Sequence, residues 1–90
     1  MYFEWDEHKN QENIRKHGLD FSDAWQVFVG PLFPELDLRT DYGEDRWSIL
    51  GLLGNRVVVV TFTFASNEVI RVISLRKALR HERERFEEEI

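Results

Sequence analysis

The sequence predicts an α+β domain: two helices near the N-terminus, a four-stranded antiparallel meander, and a helix at the C-terminus. Three observations carry this. Residues 7–17 lie between a capping aspartate, Asp6, and a stop glycine, Gly18. Residues 32–74 break into short β-branched or alternating runs separated by turn residues. Residues 76–89 return to helical spacing, with Leu75, Ala78, Leu79, Glu82 and Phe86 on one stripe.

In chain order, Phe3 and Trp5 alternate around Glu4 before the first helix. That helix is polar: Ile14 is its one aliphatic residue, and Lys9, Asn13 and Lys16 form a stripe ending beside His17. Taken alone, it reads as a solvated helix clipped to the fold by Trp5, Ile14, Leu19 and Phe21. Ser22 is the expected cap of a second, short helix that buries Ala24, Trp25 and Phe28 and breaks at Gly30-Pro31. Residues 32–38 read as an edge strand, because Pro34 has no ladder N–H to give. The segment 39–45, "RTDYGED", reads as a turn or mobile loop, and "GN" at 54–55 joins strands 46–53 and 56–64 as a hairpin. A last strand over 69–74 would place Val69, Arg71, Ile73 and Leu75 on one face and Ile70 and Val72 on the other. Ser74 is then the expected N-cap of the final helix.

Ninety residues make one domain, 1–90. With no cysteine, the chain has no disulfide framework, thiolate metal site or cysteine nucleophile. His8, His17 and His81 lack metal-ligand spacing, so neither metal nor cofactor is expected. There is no run long enough to span a membrane. "MYFEWDEHKN" lacks the basic head and apolar body of a signal peptide, which leads us to expect a cytoplasmic protein.

Charge is unevenly placed. Residues 1–70 carry six Lys/Arg against twelve Asp/Glu, whereas 71–81 hold Arg71, Arg76, Lys77 and Arg80 with no acid. In a helix beginning near residue 76, those cations oppose the helix dipole, as do Glu87, Glu88 and Glu89 at its end. Two readings stand level: salt bridges to acids elsewhere, or a phosphate receptor combining basic side chains with free helix N–H groups. Glu82, a carboxylate on the apolar stripe, is either an ion-pair partner of Arg85 or Arg71 or a functional group, acting as a general base or orienting an active-site arginine. His17 is the best single candidate for proton transfer, and on the ordinary reading it is a dipole partner at the helix C-terminus. Trp5 and Trp47 are core residues on the ordinary reading and base-stacking platforms on the functional one.

The stretches "FEWDEHKNQENIRKHGLDF", "DRWSILG" and "VIRVISLRKALRHERERFEE" together resemble the BrnT-type toxins of bacterial type II toxin–antitoxin modules. The likeness runs through nearly the whole chain in the same order. It departs at Leu75, where members commonly carry alanine, and at Phe86, where tyrosine is frequent. The resemblance implies a RelE-like fold and a metal-independent endoribonuclease. It also implies a ribbon-helix-helix antitoxin that neutralises the toxin and binds the operon's DNA. Mapped onto such chemistry, Arg76 and Lys77, aided by Arg71 and Arg46, would stabilise the phosphorane. His17 or Glu82 would move protons, and Lys9, Lys16 and Arg80 would hold the RNA backbone. The alternative is a catalytically weak module that pairs with an antitoxin and shapes operator binding. The acidic 35–45 segment would suit contact with a basic antitoxin segment.

Overall fold

The computed structural model describes residues 1–37 and 46–89, and the 39–45 turn lies outside them. Helix α1 spans Glu7–His17 as its local signals require. The Asp6 side chain accepts the Lys9 N–H at 3.1 Å, and Gly18, in the left-handed region at φ 69°, returns its N–H to the Ile14 carbonyl at 2.7 Å. A single 3-10 turn, Phe21–Asp23, leads into the short helix α2, Trp25–Val29.

The sheet has five strands and is mixed, not a four-stranded antiparallel meander. Strand β1, Tyr2–Glu4, runs parallel to β5, Val69–Lys77, at one edge. The meander of β2 (Leu32–Asp37), β3 (Arg46–Leu53), β4 (Arg56–Phe64) and β5 completes the order β1-β5-β4-β3-β2. The expected edge strand over 32–38 is β2, with Pro34 opposite Ile49. Strand β1 escapes a sequence reading because the alternation of Phe3 and Trp5 around Glu4 is too short to decide and its partner lies far along the chain.

Three further expectations are corrected. First, β5 continues through Lys77, and helix α3 starts only at Arg80 and runs to Glu89. Ser74 is therefore mid-strand, opposite Thr61, and caps nothing. Ala78 extends the ladder by donating its N–H to the Val57 carbonyl at 3.0 Å. Second, the β4–β5 register shifts between Thr61 and Phe62, which skips Ile73. That bulge brings Ile70, Val72 and Leu75 into one core cluster instead of on opposite faces. Third, Asp20, not Ser22, supplies the cap of the 3-10 turn, and Val27 is buried where Trp25 stands 49% exposed.

Two layers of side chains sandwich the sheet. Leu19, Phe21, Ala24 and Val27 pack with Val58, Val60, Phe62, Ile70, Val72 and Leu75 on one face. Phe3, Trp5 and Trp47 are partly buried against this cluster, the ordinary fate of core aromatics. Close approach is built in: a Cβ on Gly51 would meet Val27 Cγ1 at 2.5 Å. On the other face Phe86 of α3 is buried against Leu50, Val57 and Val59.

Beyond residue 71, no strand among the described residues pairs with the outer edge of β5, and α1 packs against it. Asn13 stands in for the missing neighbour. Its Oδ1 accepts the Leu75 N–H at 3.1 Å, while Nδ2 donates to the Leu75 carbonyl at 2.8 Å and the Leu19 carbonyl at 2.9 Å. Asn10, also buried, accepts the Phe21 N–H at 2.8 Å and donates to Asp20 at 3.0 Å. The polar helix is thus held by side-chain amides that satisfy backbone groups water cannot reach.

Candidate RNA-cleavage site

The Asn13 bridge fixes the C-terminal end of α1 against the C-terminal end of β5. Between them opens a cleft of about 480 Å³ lined by Lys16, His17, Arg76, Lys77 and Leu79. Two basic pairs from sequence positions sixty residues apart therefore meet in one concave place. Leu79, expected on an apolar stripe, is 56% exposed at this cleft.

Arg76 is held from behind. Its Nη1 and Nη2 donate to Glu82 Oε1 and Oε2 at 2.8 and 3.0 Å, a two-pronged pair between partly buried groups. The same Glu82 Oε1 accepts the Leu79 N–H at 2.8 Å, the N-terminal bond by which the third residue of a helix caps the residue before it. Arg76, with the Leu79 N–H after it, holds the Glu82 carboxyl below the usual glutamate range, against the opposing effect of burial. A carboxylate so engaged is a weak proton acceptor and a strong anchor. Its partner is Arg76, not Arg85 or Arg71.

The helix N-terminus weighed as a phosphate receptor is not where Arg76 and Lys77 lie. Arg76 and Lys77 end a strand, so their charges do not oppose a helix dipole. Arg80 does open α3, but its Nε is bonded to Glu84 at 2.9 Å.

The remaining candidates lie elsewhere. Arg71 sits toward the other end of β5, its Nε 2.6 Å from Glu4 Oε2. Arg46 begins β3, in the row of the sheet that pairs through Trp47 with Phe62, and it does not line the cleft. Lys9 is exposed in the first turns of α1 and is likewise absent from the lining. Sequence reasoning placed Asn13 on the polar stripe of a solvated helix and passed over Asn10, whereas both are buried. Their spacing beside Ile14 and His17 on one helical face was the available signal. Among the described residues no three His, Cys, Asp or Glu side chains gather as a metal site would need, and no helix is long and apolar enough to cross a membrane.

A family model described as the ribonuclease toxin BrnT of type II toxin–antitoxin systems matches residues 5–82. The chain belongs to the BrnT family. Its fold is similar to the crystal structure of the Brucella abortus ribonuclease toxin BrnT, with a TM-score of 0.70 and 33% sequence identity. That likeness covers 89% of this chain and 99% of the Brucella chain. A search of curated proteins found no match. The BrnT match ends at Glu82, so it takes in every residue lining the cleft and the carboxylate behind Arg76.

Proposed function

We propose that this BrnT-family chain is an endoribonuclease toxin that cuts RNA without a metal ion, in the cleft between α1 and β5. The observation that carries the reading is the meeting of His17 and Lys16 with Arg76 and Lys77. Imidazole both takes and gives a proton near neutral pH, and guanidinium and ammonium stabilise charge on phosphorus.

In this scheme His17 accepts the proton of a 2′-hydroxyl as that oxygen bonds to the adjacent phosphorus. Arg76 and Lys77 face the negative charge of the five-coordinate intermediate. The P–O5′ bond then breaks, and the leaving 5′-oxygen takes a proton from the Lys16 ammonium. The products are a 2′,3′-cyclic phosphate and a 5′-hydroxyl, so every atom and proton is accounted for. Glu82 positions Arg76 and moves no proton, consistent with its lowered pKa. Arg71, Arg46, Lys9 and Arg80 lie outside the cleft and serve, at most, to guide the RNA strand.

Family membership supports an antitoxin partner, and we extend this to a ribbon-helix-helix protein that links the toxin to operator DNA. A RelE-like classification of the fold and a cytoplasmic setting belong to the same reading. Purified protein and an end-labelled RNA test it, with divalent metal chelated. Cleavage leaving a cyclic phosphate, lost in H17A and K77A, is expected. Intact RNA with wild type would instead favour the antitoxin-binding module without catalysis, a role that the net charge of −5 also suits. Cleavage only after metal is added would remove the metal-independent part alone.

A further inference from the structure

Four arginines of this acidic chain are engaged in ion pairs. Arg15 is paired with Glu12, Arg71 with Glu4, Arg76 with Glu82 and Arg80 with Glu84. Among the described residues, Lys9, Lys16, Arg56, Lys77 and Arg83 make no ion pair. All but Lys9 line two clefts, and the clefts share Lys77. The second cleft, about 380 Å³, is lined by Asn55, Arg56, Lys77, Arg83 and Glu87 among others. In a chain with 17 acids, cations left without acid partners in adjoining hollows set up a local positive potential that attracts an anion.

The second cleft is held by regular structure. Asn55 and Arg56 come from the β3–β4 hairpin, and the Ala78–Val57 ladder bond ties that hairpin to the end of β5. Arg83 and Glu87 lie one turn apart on α3, flanking Phe86, which is 1% exposed and anchors the helix. The guanidinium groups of Arg56 and Arg83 can each grip a phosphate through two N–H donors, and the Asn55 amide adds a neutral donor.

We infer that the cleft of Asn55, Arg56 and Arg83 is a second phosphate subsite, which binds RNA next to the scissile phosphate with Lys77 standing between the two. This rests on the reading of the first cleft as the cleavage site. Among the described residues Glu87 is the one carboxylate lining this cleft, and it weakens the subsite by repelling phosphate.

The test uses a fluorescently labelled 2′-O-methyl RNA octamer, which cannot be cut because its nucleophile is blocked, and follows binding by anisotropy across a salt series. R56Q/R83Q should weaken binding about tenfold or more. The slope of log K against log salt should flatten by about 0.7, the share of one single-strand phosphate contact. E87Q should tighten binding. R15Q, which removes one exposed charge already tied to Glu12, should stay within about twofold of wild type. On the matching cleavable octamer, R56Q/R83Q should raise KM and leave kcat near wild type.

R56Q/R83Q with the affinity and salt slope of R15Q would overturn the subsite alone. Binding of the octamer without cleavage of its ribose form would overturn the catalytic reading and leave the subsite to be judged by the variants. No binding by wild type would overturn both.

Discussion

Strand β5 carries two arginines whose acid partners come from opposite ends of the chain, and the two ends are built differently. Arg71 meets Glu4 through a single Nε contact, with both side chains about half exposed. Its stretch of strand is paired on the outer edge by β1. Arg76, roughly 15 Å further along by strand rise, is gripped by both oxygens of Glu82 with less exposure on either side. Its stretch pairs with no outer strand among the described residues and is held at Leu75 by Asn13. One end is ordinary sheet with a surface ion pair. The other leaves its edge to a helix that brings His17 and Lys16, and it orients a guanidinium before any substrate arrives. Preorganisation of this kind matters for catalysis because charge placed in advance needs no rearrangement as the reaction proceeds.

Substitutions can break that contrast in steps. The largest effect should come from R76A, which removes charge stabilisation and should slow RNA cleavage by about 10²–10³-fold. R76K should restore little, because an ammonium cannot span both Glu82 oxygens.

Next is N13A, which strips partners from the Leu75 N–H and carbonyl and the Leu19 carbonyl. It should destabilise the fold by about 2–3 kcal/mol in urea unfolding. Activity should fall with it, since Leu75 adjoins Arg76.

E82Q should cost about 1–2 kcal/mol, allowing for the partial exposure of Arg76. Because the fold lowers the Glu82 pKa, its contribution is complete above the unfolded glutamate value, ~4.3, and is lost as pH falls through the lower folded value. The stability gap between wild type and E82Q should therefore be steady at neutral pH and close in acid. A gap unchanged at pH 2 would contradict the assignment.

Smallest of all, E4Q should change stability by less than about 0.5 kcal/mol, the usual worth of an exposed pair.

What could be read in advance follows how local each determinant is. Helix α1 was legible because Asp6 and Gly18 act within a turn of it. The β2–β5 meander was legible because alternation and the Gly54-Asn55 turn are properties of neighbouring residues. Strand β1 and the bulge at Ile73 depend on partners distant in sequence, and the bulge reverses the facing of everything after it. Lys16, His17, Arg76 and Lys77 could be named from charge and resemblance, but their convergence depends on Asn13, a residue type more often found on surfaces. Arg56 and Arg83 drew no reading in the sequence, because only the hairpin and α3 place them beside Lys77.

The most direct test compares wild type, R76A and R71A for single-turnover cleavage of one labelled RNA with divalent metal chelated. The account predicts a 2′,3′-cyclic phosphate product from wild type, a rate within about threefold for R71A, and a loss of about 10²-fold or more for R76A. Equal losses at the two arginines, or cleavage by R76A at the wild-type rate, would contradict it.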